Sequence, residues 1–338
     1  LVDKKTGQAK TEMVPWYDKR TMKQYARLCQ EGDVRALFTR TGLYPSYKYG
    51  LSKILWFMAQ DPALLTEAIW LSAADYIAFR LTGKFGTDYS LAARTYAYRI
   101  DQKKWDREWL ANFGLKEELF PEVRISGFPV GEVRRELDLP SGLKVAVAGH
   151  DHLCAALAVG AIEPGVVFDS IGTAESIVGT LEERALGEKE YNSRLSFGCH
   201  VIPEKMVWIG GLSASGGSIE WLRKQLGDEP LSYEEIENLL KQTEREPTGI
   251  IYYPYLSGSG APLPDPRARG ALIGLRAEHG KADLLKAVLE GTAYEMESIR
   301  RTARKVVNKE ISQLVVVGGG TRNQTWMRIK ATVSNCLL

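Results

Sequence analysis

The stretch VAVAGHDHLCAALAVGAIEPGVVFDSIGTAESI, Val145–Ile177, decides how the chain is read. It predicts a buried strand running to Gly149, an acid at Asp151 where strand meets helix, a helix of small residues, and a second strand, VVFDSI. That second strand ends in a tight polar turn, DSIGTAES, Asp169–Ser176. Open α/β sheets bind ligands at such strand ends. Gly172 permits close backbone approach, and Thr173 and Ser176 offer hydroxyls, a combination suited to phosphate. A carboxylate followed by a phosphate-cradling turn points to phosphoryl transfer.

Working outward, the second half holds two further passages from a turn rich in small residues into a helix: GLSASGGS, Gly211–Ser218, and VVVGGGTRN, Val315–Asn323. Helix N-termini attract anions. Three successive glycines let a backbone lie flat against a ligand. The three turns together are expected to line one nucleotide site. Strands are predicted at Val166–Ile171, Ser176–Thr180, Leu195–Val201, Met206–Ile209 and Gln313–Gly320, and a long helix at about Lys281–Val307. The first half reads as more helical, with helices around Lys53–Gln60, Leu64–Leu71 and Ala73–Leu81. Lys103–Leu115 is read as one amphipathic helix, with Trp105, Trp109, Leu110 and Phe113 as core.

The 338 residues suffice for about two domains. A net charge of +2 argues against general attraction to nucleic acid or membrane. The four cysteines, Cys29, Cys154, Cys199 and Cys336, form no CxxC pair, which fits a reducing cytosol and no zinc site. No apolar run approaches the length of a membrane span. The first residues read as the end of a strand and the last follow a helix, so both ends read as cuts through a larger fold.

Taken together, these segments resemble the FGGY family of carbohydrate kinases, in the actin-like ATPase superfamily. GHDHLCAALAVGA with EPG is similar to the family's catalytic-aspartate segment, and DSIGTAES to its second phosphate loop. GALIGLRAEHGKADLLKAVLE, Gly270–Glu290, resembles its signature, with Asp283, Leu284, Ala287 and Glu290 in place. VVVGGGTRNQTWMRIKA resembles its adenosine motif. WYDKR, Trp16–Arg20, is similar to its sugar-side loop, while YPSYKYGLSK, Tyr44–Lys53, departs from the family pattern.

The resemblance implies an α/β fold of two actin-like (ribonuclease H-like) domains with a nucleotide cleft between them. The first domain would be incomplete, its Asp-x-Gly-Thr-type phosphate loop lying ahead of Leu1. Residues 1–160 would form the sugar-binding N-terminal domain and 161–338 the nucleotide-binding C-terminal domain, also incomplete. The implied reaction is ATP-dependent phosphorylation of a ketose or polyol hydroxyl, with Asp151 as general base. Trp16, Asp18, Arg20 and His152 fall to the substrate. Gly172, Thr173, Gly216, Glu220, Gly319 and Asn323 fall to ATP. Mg²⁺ would be held by phosphate and water, with no protein metal site at His150 and His152. The expected partner is a small sugar or polyol, with no nucleic acid, no membrane and a cytoplasmic location; a homodimer is left open. The span Leu1–Leu338 alone is expected to lack kinase activity. A non-catalytic or truncated member binding nucleotide or a partner without turnover is the alternative, ahead of another actin-like ATPase.

Overall fold

Glycines at helix ends and aromatic residues at helical spacing set the first part of the chain. A computed structural model describes residues Leu1–Leu338, in two units. The first holds Leu1–Cys154, Glu182–Gly187 and Ser196–Val207; the second holds Ala155–Leu181, Glu188–Leu195 and Trp208–Leu338.

The first unit carries helices α1 (Met22–Glu31), α2 (Val34–Thr41), α3 (Gly50–Gln60), α4 (Ala73–Thr82), α5 (Tyr89–Ala93) and α6 (Arg107–Ala111). Asp33 caps α2 through the Arg35 and Ala36 amides, and Gly42 ends it in the left-handed region at φ 72°. Ser72 and Asp75 form a capping box on α4. Leu28, Phe38, Leu51, Ile54, Tyr96, Tyr98, Trp109 and Leu110 make the core, each 1% exposed or less. The tryptophan stripe is core, as expected, but not one helix. Lys104–Trp105 pairs as a short strand with Tyr98–Arg99, and α6 starts only after Asp106, whose carboxylate accepts the Trp109 amide. Stacking of Trp105 on Phe120, centroids 4.3 Å apart, outweighs helical periodicity there. The helix expected over Leu64–Leu71 is instead a 3₁₀ turn, Pro62–Leu65, followed by Ala68–Ile69 paired with Val2–Asp3. Glu67 breaks it, with φ at 51°.

The helix α7 (Asp151–Ala158) follows. Next come strands β1 (Val166–Ile171) and β2 (Glu175–Glu182), α8 (Glu188–Ser193), β3 (Ser196–Cys199) and β4 (Lys205–Leu212). They are followed by α9 (Gly216–Arg223), α10 (Tyr233–Lys241), α11 (Lys281–Val307), β5 (Gln313–Val317) and α12 (Gln324–Ser334). The sheet order is β3-β4-β2-β1-β5, with β2 antiparallel and β5 parallel to β1. Beneath it, Ile171, Ile219, Leu222, Tyr252, Leu285, Val288, Leu289 and Trp326 form one apolar cluster.

The Gly270–Glu290 signature gains a physical meaning here. Asp283 accepts the Gly280 amide at 2.8 Å and starts α11. Glu290, 3% exposed, accepts the Thr248 hydroxyl at 2.7 Å. A Cβ at Gly291 would overlap the Tyr252 carbonyl, so α11 lies against backbone at that point.

Gly42 offers a test of the first unit. A Cβ there would lie 2.5 Å from the Phe197 carbonyl oxygen. Gly42→Ala is expected to destabilise the fold by at least about 1–2 kcal/mol, the left-handed cost alone. Urea unfolding with an unchanged slope measures this; a midpoint equal to wild type refutes it.

Candidate active site

Asp151 is the first residue of α7, and its side chain is 86% exposed. What holds it is buried. Asp88, 1% exposed, ends a short strand, Thr87–Asp88, and caps α5. Its Oδ2 accepts the Ser90 hydroxyl at 2.7 Å and the Ser126 hydroxyl at 2.5 Å. The Ser90 oxygen in turn accepts the His150 amide at 2.8 Å. Gly149, at φ 127°, lets the chain press on this pair; a Cβ there would lie 2.8 Å from Ser90 Oγ and would overlap Val201. The chain entering α7 is thus suspended from a buried carboxylate through one serine. Sequence reading missed Asp88, Ser90 and Ser126. The available signal is the cap pattern Asp88-Tyr89-Ser90, an acid followed two residues on by a hydroxyl.

Two histidines flank the acid. Burial, and then the Arg94 charge, push the His150 pKa down to about 4, so the ring is neutral at neutral pH. Its Nδ1 lies 3.1 Å from Asp151 Oδ1 without hydrogen-bond alignment. The rings of His150 and His152 stand 5.6 Å apart, and ligand-type atoms of His150, Asp151 and His152 lie within 4.8 Å of one another. This nitrogen-rich set does not fit Mg²⁺, which prefers oxygen ligands. On the sugar-side loop, Trp16 is 58% exposed. Asp18 accepts the Arg20 amide at 2.9 Å and its Nε at 2.8 Å, and the guanidinium lies 5.2 Å from the Trp56 ring centroid. Lys53, unremarked in the sequence, anchors the loop by donating to the Pro15 carbonyl at 2.9 Å. Burial lowers its pKa to about 8.

In the second unit, the glycine-bearing turns meet at the end of β1. The Gly172–Thr173 turn closes with Gly172 N–H donating to the Ala174 carbonyl at 2.9 Å. The Ser215 and Gly217 amides donate to Thr173 O, both at 3.0 Å, and the Gly216 amide to Gly172 O at 3.1 Å. The first donors of α9 are therefore spent on the turn. They do not await an anion, as helix N-termini were expected to. A Cβ at Gly216 would lie 2.5 Å from Gly172 O. Gly172 and Thr173 remain exposed. A Cβ at Gly318 would overlap the Ile171 carbonyl, and one at Gly320 would lie 2.6 Å from the Ile171 side chain. Gly319 alone of the triplet has nothing within 4 Å of its Cβ position. Asn323 Oδ1 caps α12 by accepting the Trp326 amide at 2.9 Å, which leaves its amide group for other contacts. Glu220 is held by Arg223 at 2.7 Å and Lys224 at 3.0 Å, and the Arg223 hydrogen bond draws its pKa down to about 2.

Residues 1–158 match the FGGY family of carbohydrate kinases, N-terminal domain, and residues 171–338 match its C-terminal domain. The chain belongs to the FGGY family of carbohydrate kinases. It is 30% identical to the xylulose kinase of Bacillus subtilis, over 95% of this chain and 64% of that protein. It is 29% identical to the glycerol kinase of Thermococcus kodakarensis, over 99% of this chain and 67% of that protein. A solved structure titled as a xyloylose kinase from Brucella ovis superposes with a TM-score of 0.89 at 26% identity, over 99% of this chain and 68% of that one. The chain thus spans about two thirds of the length of such relatives, 64% for the Bacillus subtilis enzyme. The fold is the two-domain, actin-like fold of this family. No helix is long and apolar enough to cross a membrane.

Removing the Ser90 hydroxyl isolates the suspension of α7. Ser90→Ala leaves the His150 amide without its acceptor and is expected to cost about 1–3 kcal/mol. The His150 amide should then exchange hydrogen at least ten-fold faster than in wild type, while amides in α11 keep their rates. Unchanged exchange at His150 refutes the suspension.

Proposed function

We propose that the protein transfers the γ-phosphoryl group of ATP to a hydroxyl of a ketose or polyol, with Asp151 as general base. The observation that carries this reading is the exposed Asp151 carboxylate at the start of α7, on a backbone tethered one residue earlier, where Ser90, itself held by Asp88, accepts the His150 amide. It stands in the segment that resembles the family's catalytic aspartate.

The chemistry follows from the residues. A hydroxyl donating to Asp151 becomes a better nucleophile as it attacks the γ-phosphorus; the new O–P bond forms, the bond to the ADP oxygen breaks, and the proton passes to the carboxylate. Phosphoryl transfer has a loose transition state, so positioning matters more than base strength. Neutral His150 places no positive charge beside the acid. Trp16, Asp18, Arg20 and His152 take the substrate role, with the exposed Trp16 face and the Asp18–Arg20 pair suited to a polyhydroxyl ligand. On the nucleotide side, the exposed Thr173 hydroxyl and the turn at Gly172 take phosphate. Gly216 supports that turn from α9, where Glu220 also lies. The open space at Gly319 and the amide of Asn323 take the nucleoside. Mg²⁺ bound with ATP neutralises phosphate charge and keeps mostly phosphate and water ligands. Similarity to both a xylulose and a glycerol kinase supports a ketose or polyol acceptor without choosing between them.

Asp151→Asn in the full-length protein is expected to lower kcat by at least ~10²-fold, the usual scale of general-base effects, with ATP affinity nearly intact. Steady-state turnover with xylulose and glycerol, after a thermal-shift panel of ketoses and polyols, measures it. Near-normal turnover would exclude Asp151 as the base.

A further inference from the structure

Two carboxylates and one ammonium are sealed beneath the Gly172–Thr173 turn. Asp169 lies on β1 and Glu175 opens β2, with Glu175 opposite Ile171 in the ladder, so both acids share one face of the sheet. Lys330 reaches them from α12: its Nζ donates to Asp169 Oδ2 at 3.0 Å and to Glu175 Oε1 at 2.7 Å. The side chains of all three are 0% exposed. The other oxygen of Glu175 accepts the Ser215 hydroxyl at 2.6 Å. Ser215 is the residue whose amide holds the Thr173 carbonyl. One cluster therefore touches the strand before the turn, the strand after it, the start of α9 and the body of α12.

The charges do not balance as drawn. Asp169 Oδ1 is buried with no partner. Burial, and then the Glu175 charge, push the Asp169 pKa up to about 7. Burial works against the Lys330 charge, but Glu175 and Asp169 more than offset it and hold its pKa above the ordinary lysine value. The charged groups facing Asp169 are Glu175 from β2 and Lys330 from α12; β5 presents Val316 opposite it. With a proton on Asp169 the one ammonium balances the one remaining carboxylate and the cluster is neutral; that proton is held below about pH 7.

We propose that Lys330 is a positioning residue for the nucleotide phosphates: it sets the spacing of the Gly172–Thr173 turn, the start of α9 and the glycine turn ahead of α12. This rests on the reading that the Gly172–Thr173 turn receives phosphate. A buried ion pair contributes little net stability against an apolar replacement of similar shape, but it can fix a single register.

The test uses the triple variant Asp169→Asn/Glu175→Gln/Lys330→Met in the full-length protein, which removes every charge and strands none. ADP affinity is measured by calorimetry from about pH 6 to 9, where the linkage falls, together with KM for ATP and for the sugar. A cooperative melt and wild-type circular dichroism establish folding. Should the triple variant not fold, Asp169→Asn alone is carried through the same titration. ADP affinity and KM for ATP are expected to weaken at least about ten-fold, the scale of small misplacements, with the KM for sugar unchanged. In wild type, ADP affinity should fall as pH rises through about 7, when Asp169 loses its proton and the cluster turns net negative; the variant should lack this step. Wild-type ADP affinity with the same pH step in the variant overturns the proposal. Gly319→Val, whose Cβ enters open space, separates the two levels. If it weakens ADP binding while the triple variant does not, only the positioning role fails. If neither weakens it, the nucleotide reading fails.

Discussion

The end of β1 is crowded by backbone from two turns, and the second unit is arranged around that crowding. Ile171 is fully buried, and Gly318 leaves no room for a Cβ above its carbonyl. One residue on, the Gly172 carbonyl takes the Gly216 amide at a separation that also excludes a side chain. Gly320 packs on the Ile171 methyl, and Trp326 closes the same side. Backbone can approach this closely only where side chains are missing. The outcome is a small exposed patch, Gly172, Thr173 and Gly319, on a closely packed base. The Lys330 cluster lies under that base, and the apolar faces of α9, α11 and α12 lie behind it.

Much of this was legible in the sequence, for identifiable reasons. VVFDSI reads as a strand because it is a short apolar run ending in a glycine turn, and it forms Val166–Ile171. The long helix at Lys281–Val307 carries a continuous amphipathic pattern and a cap at Asp283. The three small-residue turns share one composition, and they meet at one strand end. What sequence could not give was how donors and space are divided among them. The α9 amides look free in sequence, but the turn carbonyls consume them. The three glycines of Gly318–Gly320 look equivalent, yet two serve packing and one faces open space. Trp105 has helical spacing to Trp109, but stacking on Phe120 decides its conformation. The Lys330 cluster did leave a trace: Trp326, Lys330 and Ser334 recur every four residues, which puts a charge on the buried face of α12. Its partners, more than 150 residues away in the chain, could not be paired with it without the fold.

The first unit shows a different economy. The candidate base is exposed, while the groups that tether the backbone just before it, Asp88 and Ser90, are each 1% exposed. An acid with open access and a rigid base can meet a substrate hydroxyl without reorganising, which is what a positioning-dominated reaction requires. The measurement that tests this most directly is a crystal structure with a non-hydrolysable ATP analogue and the sugar that best raises the melting temperature. The acceptor hydroxyl is expected within about 2.6–3.2 Å of an Asp151 oxygen. A well-ordered sugar whose hydroxyls all lie beyond reach of Asp151 would contradict it.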